Sequence, residues 1–537
     1  MGSHGTRAAL EPRPVAWPIV LAASFAFILV LHLPLLNLPY FWDEAGYYIP
    51  AARDLFLSGT LIPHSTPSNA HPPLVMAYLA AAWKIAGYSV VTTRIAMLLA
   101  AAFSITGLFR LAETVSNRAI AWATILCTAL YPVFFVQSSL AQVDLTAAGF
   151  TFWGLAAYAR KSARWMAIWM TLAALTKETA ILAPAALLVW SFFGTIFRRH
   201  ALNVTSGSAP GGRHCLALLC PMFSLAVWYA YHYHVTGYLL GNPEYFRYNV
   251  QSTLSPIRFV LAFGLRLWQT FGYLQLWLLT AAMAIAMFLP PRKDAGVSRP
   301  RIAISLQLSF LAIMAAYILF MSAVGGAVLA RYMLPVVPLV ILIAVSTLSR
   351  RVRLWIAVLA VVMLSFATAL YWPPPYGFSL EDNLAYREYI VMHRNAARFL
   401  QSHHPESRIL TAWPASDEIT RPYLGYVERP LQAVRIEDFS VDQVMSASDL
   451  RRSYDVALVF STKYQPVHPL FARWQAWQDL KTRYFGYHRD LPPQAIAQIL
   501  GGNLEFEDVR EGQWIAVIAL ERIEDAQLHR PAHADIK

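Results

Sequence analysis

Charged residues are scarce in this chain. Only 14% of its 537 residues are charged and 57% are hydrophobic, whereas a soluble domain carries about 25% charged residues. The mean hydropathy is correspondingly positive, at +0.43. The composition therefore excludes an ordinary soluble protein and predicts a polytopic membrane protein with some soluble mass attached.

Cysteine is also scarce, and metal-binding motifs are missing. The three cysteines are too few for a disulfide framework, and all lie in or beside apolar runs (Cys127, Cys215, Cys220). No His-x-x-x-His motif or cysteine pair indicates a strong metal site, and no internal repeat is visible. No small-residue cleavage site follows the first apolar run, 15–36, so we expect this run to span the membrane rather than act as a cleaved signal peptide.

The net charge is +12, but the basic residues do not indicate nucleic-acid binding. They fall in short groups between long apolar runs, which is the pattern that orients membrane proteins. The apolar runs long enough to approach the roughly 20 residues of a bilayer span number about eleven: 15–36, 91–110, 119–137, 145–159, 165–177, 179–197, 214–235, 267–290, 302–324, 331–348 and 353–372.

The basic groups fix the predicted topology. If the apolar stretch 72–87 lies along the interface and does not span, every basic cluster falls in loops on one side of the membrane. Counting this stretch as a twelfth span would scatter the clusters over both sides. We therefore expect eleven spans in the inner (cytoplasmic) membrane, with the N-terminus in the cytoplasm, a large first outer loop at about 37–90, and the C-terminus in the periplasm.

The composition changes after the three prolines at 373–375. Residues 373–537 are richer in charge and contain an amphipathic helical pattern near 383–403 and short β-like runs at 408–413, 431–436, 455–461 and 514–520. The sequence thus predicts two domains. Residues 1–372 form the polytopic α-helical membrane domain, and 373–537 form a small extracytoplasmic α/β domain.

In this topology, unusual polar residues from five separate loops gather on the outer face. Ionisable groups near the membrane are costly and are usually paired or functional. Each also has a structural alternative. Asp144 could cap a helix, Lys177 and Glu178 could form an interfacial pair, Arg331 could anchor a helix end, and His71 could lie in a simple turn. The aromatic residues Tyr47, Tyr48, Tyr245 and Tyr248 could belong to an interfacial belt.

A purely structural role is least plausible for the adjacent acids Asp43 and Glu44. Neighbouring carboxylates repel each other, and the membrane interface gives no structural reason to keep both. Carboxylates, basic groups and aromatic rings at a membrane surface suit the transfer of a sugar from a lipid phosphate. A carboxylate base takes the proton of the attacking hydroxyl. A cation stabilises the charge that develops on the leaving phosphate, and the aromatic rings stack on the sugar.

The motifs that carry these residues also resemble a known family. "FWDEAGYY", "HPPL", "VDLTAAGFTFW", "LTKETAILAP" and "ARYMLPVVPLVIL" are similar to segments of the bacterial GT-C glycosyltransferases. They are closest to the dolichyl-phosphate-mannose–protein mannosyltransferase family (glycosyltransferase family 39), which includes the aminoarabinose transferases of lipid A. The resemblance covers most of 1–372. It implies a GT-C fold, a polyprenyl-phosphate sugar donor, and inversion at the anomeric carbon.

The resemblance also implies roles for individual residues. Asp43 matches the general base and Glu44 its acidic neighbour, and the two form the expected catalytic pair. The expected donor phosphate and sugar site consists of His71, Asp144, Lys177, Glu178, Arg247, Arg331, Tyr332, Tyr47 and Tyr245. No cofactor is firmly expected, although Asp43, Glu44, His71 and Asp144 could together hold a divalent cation if they converge.

The expected partners are a polyprenyl-phosphate sugar, membrane lipid and a periplasmic hydroxyl on a lipid, glycan or protein. Two other functions stay open. A lipid-linked sugar flippase or other transporter would place ionisable groups at mid-membrane in repeated halves. A non-catalytic assembly or sensor protein would use the C-terminal domain for binding and would not need the outer loop residues.

Overall fold

The computed structural model describes residues 15–200, 212–294, 296–466 and 473–520. Before the three prolines at 373–375 the described chain is helical apart from one short hairpin. Its helices are α1 Trp17–His32, α2 Ile49–Ser58, α3 Leu74–Ala86, α4 Val90–Val115, α5 Arg118–Leu130, α6 Pro132–Gln137, α7 Asp144–Ala159, α8 Ala163–Thr176, α9 Leu182–His200, α10 Gly212–Thr236, α11 Pro243–Asn249, α12 Pro256–Phe271, α13 Leu276–Met287, α14 Ile304–Ala323, α15 Val337–Arg351 and α16 Trp355–Tyr371. The hairpin strands are β1 Lys293–Asp294 and β2 Val297–Ser298.

The chain is a multi-pass membrane protein. Five helical segments of the described residues are long and apolar enough to cross a membrane: Trp17–Leu35, Val90–Val115, Gly212–Thr236, Pro256–Met287 and Ile304–Ala323. Each of the eleven predicted runs coincides with a helix or with two consecutive helices, and the exact number of spans stays a prediction. Helix α3, which covers most of the stretch 72–87, has 13 residues. At about 1.5 Å per residue it is shorter than the roughly 30 Å hydrocarbon core.

The predicted run 267–290 is wrong in its boundary. The helical segment starts at Pro256 and is broken between α12 and α13, where Leu274 and Gln275 have φ angles of 46° and 71°. Helix α12 buries two arginines, Arg258 and Arg266, on one face. These charges lower the hydropathy of its first half, so the apolar run became visible only near residue 267.

The C-terminal region forms the predicted α/β structure. Its helices are α17 Ala385–His403, α18 Ala415–Thr420, α19 Val441–Asp449, α20 Gln475–Phe485 and α21 Pro493–Leu500, and its strands are β3 Arg408–Ala412, β4 Gln432–Ile436, β5 Val456–Phe460, β6 Gly502–Arg510 and β7 Gln513–Leu520. The strands form one sheet in the order β4-β3-β5-β7-β6. Strand β3 is parallel to β4 and β5, and β7 is antiparallel to β5 and β6.

The C-terminal region packs on the first outer loop. Aromatic residues that follow α1 share one apolar core with α17 and with strands β3, β5 and β7. Backbone and side-chain hydrogen bonds join the two parts: Tyr40 N donates to Leu424 O at 3.2 Å, and the Tyr426 hydroxyl donates to Tyr40 O at 3.0 Å. This contact places residues 37–48 between the helical region and the sheet.

Candidate functional site

A cavity of about 2090 Å³ opens between the helical region and the C-terminal region. Single ligand sites usually have volumes of roughly 300–1,000 Å³, so this cavity has room for more than one ligand. Its described lining includes residues from the first outer loop, the turn after α8, helix α11 and the segment before α15. These are four of the five loops that the sequence places on the outer face.

Asp43 lines the cavity, and the local backbone explains its orientation. Trp42 has a φ of 43°, a left-handed conformation that is uncommon for a residue with a Cβ. A π-helical turn, Glu44–Tyr48, follows directly, and such turns are frequent at functional sites. The Trp42 ring is held edge-on to Trp413 of the C-terminal region, with centroids 5.5 Å apart. The two adjacent acids consequently point in different directions.

Glu44 is fully buried and does not line the cavity. Its carboxylate pairs with Arg94, at 2.5 Å to Nη1 and 3.1 Å to Nη2. It also accepts hydrogen bonds from the backbone N–H groups of Phe41 and Ala141, at 2.8 Å and 2.5 Å. The expectation that Glu44 shares the catalytic site is therefore corrected. This carboxylate ties the first outer loop to α4 and to the turn before α7.

Arg331 is the centre of the charged cluster. The segment Ala330–Met333 forms a 3₁₀ turn before α15 and buries this guanidinium against three carboxylates. Nη2 contacts Asp43 at 2.5 Å, Nε lies 3.3 Å from Asp144, and Nη1 pairs with Glu381. Nη1 also donates to Gln142 Oε1 at 2.7 Å. Each nitrogen of Arg331 thus lies close to a protein carboxylate, although Nε has no hydrogen-bond partner among the described residues. This side chain therefore orients carboxylates.

Lys177 is the second cation of the cluster. Its ammonium pairs with Asp144 and lies 4.0 Å from the centre of the Tyr332 ring. Both Lys177 and Tyr332 line the cavity. Asp144 is the first residue of α7, after the N-cap Val143. Its Oδ1 accepts a hydrogen bond from Lys177 and its Oδ2 has no hydrogen-bond partner among the described residues, so the helix-cap interpretation of this residue is wrong. Lys177 pairs with Asp144 across two helices and not with its neighbour Glu178.

His71 lies on the cavity wall beside this cluster. Its Nδ1 is 2.8 Å from Glu178 Oε2, so the ring is fixed by the carboxylate and is not simply a turn residue. Tyr47 and Tyr245 contact the ring edge-on, with centroids 6.2 Å and 6.0 Å away. All three rings line the cavity. The aromatic residues predicted here therefore form a wall of the cavity.

Arg247 is not brought to the site. It lies on the exposed face of α11 and outside the cavity lining, whereas Tyr245 and Tyr248 of the same helix face the cavity. The four candidate metal ligands do not converge either, because Asp43 and Asp144 bind Arg331, Glu44 binds Arg94, and His71 binds Glu178. In the described ranges no group of three or more His, Cys, Asp or Glu side chains could hold a metal ion.

Sequence reasoning missed two buried charged residues, Glu381 in the Arg331 cluster and Arg94, the partner of Glu44. Glu381 lies in a 3₁₀ turn, Leu380–Asp382, between the three prolines and α17, in a segment without a readable pattern. Arg94 is a charge inside the long apolar helix α4, and such a charge is itself a sign of a buried partner. Beside Glu381, burial raises the pKa of Asp382 to about 7. Its Oδ2 accepts a hydrogen bond from the Tyr273 hydroxyl at 2.6 Å.

Comparisons with known proteins agree with this architecture. Residues 70–228 match the family model described as dolichyl-phosphate-mannose-protein mannosyltransferase. ArnT from Cupriavidus metallidurans bound to undecaprenyl phosphate is similar with a TM-score of 0.51 and 15% identity, covering 94% of this chain and 98% of that chain. The apo state of the same ArnT gives a TM-score of 0.50 and 16% identity, covering 94% and 97%.

A weaker structural similarity is to the Archaeoglobus fulgidus oligosaccharyltransferase in complex with Zn and sulfate. Its TM-score is 0.44 at 11% identity, covering 82% of this chain and 67% of that chain. The search of curated protein sequences finds no match. The resemblance inferred from the sequence is confirmed: the chain has the GT-C membrane fold of ArnT, and its residues 70–228 resemble the dolichyl-phosphate-mannose-protein mannosyltransferases.

Proposed function

We propose that this protein is an inverting membrane glycosyltransferase that moves a monosaccharide from a polyprenyl phosphate to a hydroxyl on a lipid, glycan or protein. The observation that carries the proposal is the position of Asp43. It is a carboxylate on the cavity wall with one oxygen on Arg331, and among the described residues its other oxygen has no partner. That free oxygen can accept a proton from a hydroxyl bound in the cavity.

The proposed reaction is one displacement. The acceptor oxygen attacks the anomeric carbon as its proton passes to Asp43. A carbon–oxygen bond forms on one face of the sugar, and the bond from the anomeric carbon to the phosphate oxygen breaks on the other. The electron pair of the broken bond leaves with the lipid phosphate. Lys177 is the cation best placed to bind that phosphate, because its contacts are one carboxylate and the face of Tyr332.

Arg331 is given a different role from the one its motif implies. Three carboxylates and Gln142 already surround its guanidinium, so a phosphate would compete with carboxylates for it. In this proposal Arg331 holds Asp43 in position for proton transfer. His71, Tyr47 and Tyr245 form a wall against which the sugar ring can pack.

The nature of the donor is supported by the comparisons. The matching family is named for dolichyl-phosphate-mannose, and the similar ArnT structure contains undecaprenyl phosphate. Apolar side chains of α12, such as Val260, Leu261 and Leu265, line part of the cavity. A long apolar lipid chain can pack against them. The cavity side of the cluster would face the periplasm, with the N-terminus in the cytoplasm, as the basic loops predict.

The test is the variant Asp43→Asn assayed with membranes and a radiolabelled polyprenyl-phosphate sugar. Loss of the base should reduce transfer by about 10²–10⁴-fold, while binding of polyprenyl phosphate is retained. The matched control is Asp449→Asn, which makes the same change at an exposed position of the C-terminal region. Normal transfer by Asp43→Asn would remove Asp43 as the base. Movement of the donor across the membrane without its discharge would favour a flippase.

A further inference from the structure

The backbone that carries Asp43 lies against one side chain of the C-terminal region. Trp413 follows strand β3 directly, at its carboxyl end. Its indole ring meets Trp42 edge-on, with ring centroids 5.5 Å apart and an interplanar angle of 83°. The same ring packs on Gly46, which lies in the π-helical turn after Asp43. Trp413 therefore contacts the chain on both sides of Asp43, at the residue before it and in the turn after it.

The contact with Trp413 depends on the missing side chain at Gly46. A Cβ built on this glycine would lie 2.5 Å from Cζ2, 2.6 Å from Nε1 and 2.7 Å from Cε2 of the indole, well inside the usual contact distance of about 3.5–4.0 Å. Hydrogen bonds hold the same residue from other directions. Its carbonyl oxygen accepts from the Thr66 hydroxyl at 2.9 Å, and its N–H donates to Trp42 O at 2.9 Å. The turn is therefore enclosed between the indole and these hydrogen bonds.

Trp42 adopts a strained backbone conformation that its surroundings must maintain. Its φ of 43° is left-handed, and a residue with a bulky side chain keeps such a conformation only when neighbouring groups hold it there. Two rings of the C-terminal region contact the Trp42 ring: Trp413, and Tyr389 of α17 at 5.6 Å between centroids. Removal of the indole takes away one of these supports and also the contact at Gly46. The backbone over 42–46 can then relax, and Asp43 moves with it.

We propose that Trp413 is a positioning residue for the base. Arg331 holds the carboxylate of Asp43, and Trp413 holds the backbone from which that carboxylate extends. This inference rests on the proposed function, because it takes Asp43 as the base, and it adds the carboxyl end of β3 to the parts of the protein that set the rate. Lys177, the proposed cation for the donor phosphate, lies in another turn and pairs with Asp144. Loss of Trp413 should therefore lower turnover and leave donor binding unchanged.

The test measures kcat and KM for a radiolabelled polyprenyl-phosphate sugar in membranes that contain a known amount of the full-length protein. Misplacing a reacting group by about 1 Å can cost about 10²-fold, so Trp413→Ala should lower kcat by about 10- to 100-fold and change KM by less than about twofold. Trp413 itself lines the cavity, so this variant alone does not separate positioning from a lost ligand contact.

Gly46→Ala makes that separation. Gly46 is buried and is not among the described residues that line the cavity, so its substitution acts through the clash with the indole. It should lower kcat in the same way as Trp413→Ala. The controls Trp474→Ala and Gly212→Ala make the same two changes at exposed positions outside the cavity lining, and both should turn over like the wild type.

A compensating pair of substitutions tests the contact itself. Trp413→Phe keeps a ring beside Trp42 and should have a kcat between those of the wild type and Trp413→Ala. Because the smaller ring leaves room for the added methyl group, Gly46→Ala/Trp413→Phe should turn over faster than Gly46→Ala alone. Retained binding of polyprenyl phosphate shows that each variant is folded. If Gly46→Ala does not fold, restored binding in the double variant gives the same answer.

A wild-type kcat in Trp413→Ala, a raised KM with an unchanged kcat, or no recovery in the double variant would overturn the positioning role. The variant Asp43→Asn keeps the two proposals apart. If Asp43→Asn is inactive while Trp413→Ala and Gly46→Ala turn over like the wild type, the positioning role fails and the proposed function stands. Normal transfer by Asp43→Asn removes the base, and the positioning role is overturned with it.

Discussion

Glu44 and Asp43 are neighbours in the sequence, yet their substitution should have opposite consequences. Glu44 is fully buried and its salt bridge to Arg94 is buried on both sides, with 0% and 1% of the side chains exposed. In Glu44→Gln the guanidinium loses its only carboxylate among the described residues. Breaking a buried ion pair by removing one partner costs about 3–5 kcal/mol.

The structure places Glu44→Gln at the lower end of that range. Arg94 retains three carbonyl acceptors, on Leu38, Pro39 and Ser139, at 3.2, 2.9 and 2.8 Å. The amide oxygen that the substitution introduces can still accept one hydrogen bond from the backbone N–H of Phe41 or Ala141. We therefore expect a loss of about 3 kcal/mol, which corresponds to a change of more than about 100-fold in the unfolding equilibrium.

The assay is thermal unfolding of the purified protein in detergent, followed by tryptophan fluorescence. The unfolding midpoint of Glu44→Gln should fall by several degrees. That of Asp43→Asn should change little, because Asp43 is 31% exposed and Arg331 keeps two other carboxylates. The double variant Glu44→Gln/Arg94→Met removes both charges and should recover most of the loss. A wild-type midpoint for Glu44→Gln, or no recovery in the double variant, would refute the structural assignment.

Two further predictions concern the borders of the cavity. Burial and the nearby Glu381 raise the pKa of Asp382 from 3.8 to about 7. Between these pH values the folded state keeps a proton that the unfolded state has lost. The contribution of Asp382 to the free energy of unfolding therefore falls as the pH rises from about 4 to about 7. Asp382→Asn removes this titrating group, so the unfolding temperature of the variant minus that of the wild type should be larger at about pH 8 than at about pH 5. The same difference at both pH values would contradict this. Gly326→Ala would place a Cβ 2.4 Å from the Tyr248 ring and 2.6 Å from its carbonyl oxygen, so it should lower stability by about 1–3 kcal/mol and weaken binding of polyprenyl phosphate. Gly264→Ala is the control, since its Cβ would meet nothing within 4 Å, and equal effects of the two variants would rule out a steric cause.

The fold was predictable where it follows from local sequence patterns, namely the hydropathy of a run and the alternation of apolar and polar residues. Apolar runs located the membrane helices, and four β-like runs located β3, β4, β5 and β7. Strand β6 was missed because its outward positions carry charges, so only Leu504 and Phe506 indicate a buried face. The start of α12 was missed for a related reason, since its buried arginines bond to backbone carbonyls far along the chain.

The membership of the charged cluster was predictable in part, and its pairing was not. Asp43, Asp144, Lys177 and Arg331 are all members of one cluster, as their loops suggested. The sequence offered no way to separate Asp43 from Glu44, because their divergence depends on the left-handed backbone of Trp42. That conformation is held by contacts with residues more than about 300 positions later, such as Trp413. Nor could it show that Lys177 pairs with Asp144 and not with the adjacent Glu178.

The distribution of charge indicates that the C-terminal region is part of the site and not an appended domain. The Arg331 cluster contains two cations and three carboxylates, and one of the carboxylates, Glu381, comes from beyond the last membrane helix. Without Glu381 the cluster would be neutral, and a lipid phosphate could bind Arg331 directly. With it, each nitrogen of Arg331 lies close to a carboxylate, which is the reason that the proposed function gives the phosphate to Lys177. The segment after the three prolines therefore sets the net charge of the cluster that contains Asp43.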